Sequence, residues 1–373
     1  MSPFPELQFD AALSQRAQVR EHLRELILSG ALPPGQRLPT TAALAIQLGS
    51  HAPAVHHALR DLVAEGLLDR RRALGTFVCN TKSTLTAVAI YELADSLASQ
   101  ESGLHRVLIA ELQRQLTAEG INVMVQVDPR RGEALSEPWE PLDRLSRSGR
   151  VGASIILSPT HTSLTWMGAL PRVAAFTDSV QIAGRVSIDY GQMAEISLRA
   201  LAAQGCRSVG LINSMRSKAT PDGGRSPQEV AFFNHFIDTA ADYGLEVHND
   251  WMITSGAADV LAGQFKAFGH KSFRTLWKLK SRPEGLIVFP DSSVSGVLMA
   301  MAGLGVKAPD DLRLAYHRNE QMTIFNPSPA TEAVLSEREI ATALIAQARR
   351  LSRDEPCEPV MVGFRQVDKP KNF

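Results

Sequence analysis

The chain has 373 residues, 44% apolar and 21% charged, with 39 basic and 39 acidic side chains and no formal net charge. A neutral balance gives no global pull towards nucleic acid or membrane, and the length exceeds one small domain. Three widely spaced cysteines (Cys79, Cys206, Cys357) suit reduced thiols in a cytoplasm rather than a disulfide framework. No run of about 18 uninterrupted apolar residues marks a membrane span, and the opening MSPFPELQFD lacks the basic-then-apolar layout of a signal peptide.

Between Ser14 and Ser29, Val19, Leu23, Leu26 and Ile27 fall on one stripe of an amphipathic helix, which Gly30 stops. Pro33-Pro34-Gly35 reads as a turn. Thr40 is placed to cap a short second helix through Ala43, Leu44 and Leu48, closed by Gly49. A third helix carries Val55, Leu59, Leu62 and Val63 at helical spacing and ends at Gly66. Pro53 is tolerable in its first turn, where the missing N–H would be unpaired anyway. Leu67-Leu68 and Thr76-Phe77-Val78 then predict two short strands around Arg70-Arg71-Arg72. Three helices and a hairpin in so short a stretch predict a winged helix.

The stretch LPTTAALAIQLGSHAPAVHHALRDLVAEGLLDRRRALGTFV resembles the winged helix-turn-helix of the GntR family of bacterial transcription regulators. That resemblance implies a recognition helix in the major groove of double-stranded DNA and a wing beside it. It points to Arg37, Thr40, Thr41, His51, Ala52, Ala54, His56, His57, Arg60, Arg71, Arg72, Gly75 and Thr76 as the DNA-facing set. The family's reading arginines are replaced: Ala52 and His56 stand where two of them belong, and Ala73 replaces a wing glycine. Residues 1–80 hold eight basic and seven acidic side chains, so the positive charge for phosphate is local, at Arg37, Arg60 and Arg70–Arg72. The arginine run also reads as a solvated strand. His51, His56 and His57 lack an acidic or cysteine partner at ligand spacing, so no metal is expected.

After a polar connector at 81–85, strands and helices alternate from Thr86 onward. Thr86–Tyr91, Ile121–Val127, Ala153–Ser158, Arg172–Thr177, Ser208–Asn213, Gly285–Phe289 and Leu312–Tyr316 read as buried strands. Helices are predicted at His105–Glu119, Gly191–Gln204, Pro227–Tyr243 and Ser293–Gly303. The fold class is α/β: a winged helix followed by a doubly wound parallel-sheet body.

VSIDYGQMAEISLRALAAQGCRSVGLI and RPEGLIVFPDSSVSGVLMAMAGLGVKAPDDLRLAYH resemble the sensor domain of LacI/GalR-type repressors, a type I periplasmic-binding-protein-like fold. Together with the head, the chain resembles GntR regulators of the arabinose-repressor kind. The implied domains are a head at 1–80, a linker at 81–85 and a two-lobed effector-binding and dimerisation body at 86–373. The first lobe would run from about 86 to 185 with segments returning after 317, the second from about 186 to 316. Ligand groups in such sheets stand at the carboxyl ends of strands, which selects Tyr91, Ser158, Phe176, Asn213, Asp291, His317 and Arg318. Asp291 matches the family's hydroxyl-binding aspartate, with a helix N-cap as the competing role. Phe232 stands where the family has a ligand-gripping arginine, and Arg216, Lys218 or Arg225 of the SMRSKATPDGGRSP loop is the substitute. Tyr91, Trp166, Phe176 and Phe232 would stack a sugar ring or fill the core.

No G-x-S-x-G, P-loop, H-E-x-x-H or G-x-G-x-x-G occurs, so neither an enzyme nor a cofactor is expected. The reading is a cytoplasmic homodimeric regulator, most simply a repressor, that binds a pseudo-palindromic operator and a sugar-like effector. The alternative is a sensor or scaffold whose winged helix has lost sequence-specific DNA binding.

Overall fold

The computed structural model describes residues 4, 7–10, 13–65, 67–71, 74–79, 85–98, 103–214, 227–255 and 264–369. The head opens with α1 (Gln15–Leu28), whose N-cap Ser14 accepts from the Ala17 amide at 3.3 Å. Thr40 caps α2 (Thr41–Leu48) in the same way, and Gly49 ends it in the left-handed region, where only a residue without Cβ is unstrained. Helix α3 (Ala52–Ala64) follows, then the antiparallel hairpin β1 (Leu68–Arg71) and β2 (Gly75–Val78). Val19, Leu23 and Ile27 of α1 pack with Leu44, Leu48, Val55, Leu59 and Leu62 into one buried core. The predicted winged helix is therefore present, with its apolar stripes facing inward.

The body continues with β3 (Ala87–Leu93), α4 (Ala94–Ala98), α5 (Leu104–Ala118), β4 (Asn122–Asp128), α6 (Glu140–Arg147), β5 (Ala153–Ile156), α7 (Leu164–Gly168), β6 (Val173–Phe176) and β7 (Gly184–Ile188). Then come α8 (Tyr190–Ala203), β8 (Val209–Asn213), α9 (Pro227–Asp242), β9 (Met252–Thr254), α10 (Phe265–Trp277), β10 (Gly285–Phe289) and α11 (Asp291–Leu304). The chain finishes with β11 (Arg313–Asn319), β12 (Ala330–Leu335), α12 (Glu337–Ser352), β13 (Val360–Val362) and β14 (Phe364–Lys369). One six-stranded sheet has the order β13-β7-β6-β5-β3-β4, the other β14-β12-β11-β10-β8-β9. Pairings from β3 to β7 and from β8 to β12 are parallel; β12–β14 is antiparallel. The strands carry near-continuous apolar runs, as sheets covered by helices on both faces require.

Two compact units emerge: residues 1–94, 112–186 and 342–359 in the first, and 95–111, 187–341 and 360–373 in the second. The head falls in the same unit as the first sheet. One expectation is corrected. The second lobe does not end at 316, because β12 and β14 extend its sheet beyond β11. The connector at 81–84 lies outside the described residues. Among the described residues no helix is long and apolar enough to cross a membrane.

Candidate functional sites

In the head, the first question is which charges are available to a ligand. Arg16 grips Asp61 with two hydrogen bonds of 2.7 Å, and Glu65 takes Arg24 at 3.3 Å and Arg20 at 4.0 Å. These pairs tie α1 to α3 and use up three arginines. Arg71 donates to Asp69 at 2.8 Å and lies over the Phe77 ring, 5.0 Å from its centroid. Among the described residues of the head, Arg37, Arg60 and Arg70 carry no ion pair and are exposed. Arg37 crosses the wing: a Cβ on Gly75 would meet its Nε at 2.8 Å, and Gly75 has φ +119. Arg72 lies outside the described residues.

The start of α3 differs from expectation in a specific way. The Nδ1 of His51 accepts from the Ala54 amide at 3.1 Å, so His51 is the N-cap of the helix. His56 and His57 are exposed, their rings edge-on at 5.7 Å, and Ala52 is exposed as well. Two expected DNA-facing residues are corrected. Ala54 is buried at 4% exposure and Thr76 at 9%. Thr40 is spent as a cap, accepting from Ala43 at 3.3 Å, while Thr41 is half-buried in the first turn of α2. The outward surface is therefore His56, His57, Arg60, Arg70 and Arg37.

In the second sheet, neighbouring strand ends converge. The Asp291 amide donates to His317 Nδ1 at 3.1 Å, and the Asn319 side-chain amide donates to Asp291 Oδ2 at 2.8 Å. The N-cap of α11 is Pro290, with Asp291 in the first turn, so the carboxylate is positioned by β11 and not consumed as a cap. It also sits at the positive end of α11, which favours its charge. Burial holds His317 below the ordinary histidine range. Its Nε2 is buried without a hydrogen-bond partner, and its ring lies 5.0 Å from Phe289 and 5.5 Å from Phe364. Beside them Asn213 is buried, and the hydroxyls of Ser214 and Ser293 are hydrogen-bonded to each other. Half-buried Tyr190 stands edge-on to Phe289 at 5.3 Å.

Two predicted effector residues are corrected. Arg318 gives its Nε to Glu332 at 2.7 Å and its Nη1 to the Glu320 carbonyl at 2.9 Å, on the other face of β11 from His317. Tyr91 is fully buried, because β3 runs on to Leu93; its hydroxyl donates to Asp128 at 2.7 Å and its ring packs on Trp139 and Trp166. Burial works against ionising Asp128, yet Arg130 and Tyr91 hold its carboxyl below the usual range. Trp166 is core too, donating to the Leu135 carbonyl at 2.9 Å. Ser158 and Phe176 are half-buried at the ends of β5 and β6. Phe232 packs on Phe233 and Phe236 within α9, and Arg216, Lys218 and Arg225 lie outside the described residues. Sequence reasoning passed over Asn319, Tyr190 and Ser293, the partner of the strand-end Ser214. Tyr190 had a signal, in the Ser187-x-Asp189-Tyr190 opening, where Asp189 caps α8.

Comparison with known proteins agrees with this geometry. Residues 15–78 match the bacterial regulatory proteins of the gntR family, and residues 198–363 match the periplasmic binding protein-like domain. The histidine utilization repressor of Pseudomonas aeruginosa is 32% identical over 117 residues, covering 31% of this chain and 46% of that protein. The mannosyl-D-glycerate transport/metabolism system repressor of Escherichia coli is 30% identical over 138 residues, 34% of this chain and 58% of that protein. This chain thus spans about half the length of these relatives. Among solved structures, a LacI family transcription regulator from Clostridium acetobutylicum superposes with TM-score 0.59 at 19% identity, covering 75% of this chain and 98% of that one. A sugar-binding LacI-family regulator from Escherichia coli gives 0.57 at 12% identity, covering 76% and 96%. The body therefore has the LacI-type periplasmic-binding-protein-like fold.

Proposed function

We propose that this chain, which joins a gntR-family winged helix to a LacI-type periplasmic-binding-protein-like body, is an effector-controlled transcriptional repressor rather than an enzyme. It would act in the cytoplasm as a homodimer on a pseudo-palindromic operator, each head taking one half-site. The observation that carries this reading is the head's outward surface: His56, His57, Arg60 and Arg70 are exposed while the remaining described arginines of α1 and β1 are paired within the protein. The relatives whose names include "repressor" support the same direction of control.

The effector would be a neutral, polyhydroxylated small molecule. Asp291, oriented by Asn319, is the acceptor for its hydroxyls, with Asn213 on the neighbouring strand. A carboxylate at that place, with Arg318 committed to Glu332, disfavours an anionic ligand. One observation favours a second reading, a protein without sequence-specific DNA binding: Ala52 offers no donor to a base and His51 is spent on the helix cap. Selection of bound duplexes from a random library separates the two. Enrichment of a two-fold symmetric sequence, released by a neutral sugar in a titration panel, supports the repressor. Binding without enrichment would remove it.

A further inference from the structure

Helix α1 has two working faces. One is tied to α3 through Arg16–Asp61 and the Arg20 and Arg24 pairs with Glu65. The other meets the connection between α6 and β5, in the same compact unit. There Arg150 Nε stands 3.3 Å from Glu21 Oε1. Next to it Gly149 has φ +70, and a Cβ on it would lie 2.6 Å from Leu28 Cβ, 2.7 Å from the Leu28 carbonyl carbon and 2.9 Å from the Ser29 amide nitrogen. The approach is backbone against backbone, which only glycine permits. A cavity of about 180 Å³ adjoins the contact, lined by Ile27, Pro34, Thr86, Val151 and Arg172 among others. The docked surfaces are therefore seated on a narrow footing with space beside it, an arrangement that can shift without repacking a core.

The sequence position of this footing matters. Gly149 and Arg150 lead directly into β5, a central strand of the first sheet, and the segment after β5 carries Ser158. A continuous path thus runs from Ser158 through β5 to Gly149 and Arg150, onto α1, and through three ion pairs to α3.

We infer that this contact is a transmission joint. Gly149 and Arg150 hold α1 on the first lobe so that the head moves with that lobe, and displacement of β5 reaches α3 as a movement of α1. The docking itself is independent of the functional reading above; calling its output DNA binding rests on that reading. The physical warrant is an element with both faces engaged, which is what coupling between distant surfaces requires.

Time-resolved fluorescence anisotropy tests it. A dye is placed at Ile46→Cys, 81% exposed on α2, in the full chain with Cys79 and Cys357 replaced by serine. The joint predicts one slow rotation for head and lobe together. Gly149→Asn keeps a residue that tolerates the left-handed backbone but adds the intruding Cβ. Arg150→Glu sets two acids against each other on an exposed side chain, without touching the core. Each variant is expected to release a component roughly fivefold faster if the chain tumbles alone and roughly ninefold faster in the proposed homodimer, in proportion to an 80-residue head against 373 residues per chain. A fast component already present in the unmodified chain, or slow rotation retained in both variants, overturns the proposal. Binding of a random-sequence duplex at low salt is measured alongside. Its absence would sink the DNA reading while leaving the anisotropy result to judge the joint.

Discussion

Two glycines in one helix should respond to the same substitution with opposite signs. Gly296 and Gly303 both lie in α11, where replacing glycine by alanine ordinarily stabilises by about 0.5–1 kcal/mol through backbone entropy. At Gly303 a Cβ would meet nothing within 4 Å, so Gly303→Ala should gain that amount. At Gly296 the Cβ would stand 2.8 Å from the Lys266 carbonyl carbon and 2.9 Å from the His270 amide nitrogen, and nearer still to the Lys266 oxygen. Gly269, on the facing helix α10, makes the reciprocal approach to Ser293. A methyl carbon tolerates an oxygen at about 3.3 Å or beyond, so the helices must separate by on the order of 1 Å. A gap of that size forfeits a quarter to a half of the local dispersion energy, and overpacking of this kind costs roughly 1–3 kcal/mol. Net of the helix-propensity gain, Gly296→Ala should lose up to about 2.5 kcal/mol, or up to roughly 10 °C in Tm for a unit of this size. Because Asp291 opens the same helix, the variant should also weaken effector binding. Calorimetric melting of both variants decides the matter. A Gly296→Ala protein as stable as Gly303→Ala would mean that the helices do not cross backbone to backbone.

Further outcomes follow from the head, the buried polar pairs and the titrating groups. Alanine at Arg60 and Arg70 together should lower the slope of log affinity against log salt by about one to two units; Arg71→Ala should barely change it, since Arg71 is held by Asp69. Equal slopes for both variants would refute that division. Tyr91→Phe and Tyr316→Phe each remove the hydroxyl donated to a buried carboxylate, Asp128 or Glu332, at 2.7 Å. Each should cost about 1–3 kcal/mol in denaturant titration, and a neutral result would show that Arg130 and Arg318 satisfy these carboxylates alone. Burial depresses the pKa of His317, so below the unfolded value near 6.5 the unfolded chain takes up a proton that the folded one refuses. Stability should therefore fall as pH drops from about 7 to 5. His317→Asn, which keeps an acceptor for the Asp291 amide, should flatten that fall. Glu337, whose carboxyl burial pushes up, contributes with the opposite sign in both proteins and cancels in the difference. Parallel pH profiles for the two proteins would remove His317 from the account.

Most of the fold was legible because local signals and tertiary demands agree. Ser14 and Thr40 cap the helices they precede, Gly49 ends α2, and the apolar runs around Ile90, Ile155 and Ile287 are fully buried strands. The site was less legible, since strand-end residues are chosen by where a strand stops. One more turn of ladder in β3, to Leu93, moved Tyr91 from a strand end into the core. Arg318 was lost for a related reason: side chains alternate along β11, so only one of two neighbours faces α11, and sequence alone does not say which. Asn319 carries no motif; its role exists only because β10 and β11 are parallel neighbours, which brings it to Asp291. The lobe boundary failed at 316 because β12 pairs back onto the second sheet, a long-range choice with no local mark.

The near-zero charge of the head has a consequence that its composition conceals. Eight basic and seven acidic residues suggest a surface with little to offer phosphate, yet the acids are not scattered among the arginines evenly. Asp61 and Glu65 are engaged by α1, Asp69 by Arg71, and Glu21 by Arg150. Pairing therefore leaves Arg37, Arg60, Arg70 and two exposed histidines as the charges of the described head not engaged with an acid. So few free cations give a single head only a few phosphate contacts, and a binding constant that salt erodes gently. In the proposed homodimer, specific affinity at physiological salt would then come from two heads engaging one operator, where the second binding event is intramolecular and gains from effective concentration. That gain exists only when the heads are held at the spacing of the half-sites. If the chain acts as the repressor proposed above, its arginine-poor head makes it depend more on head position than a protein with strong individual contacts, and a modest displacement of the heads is expected to release the DNA.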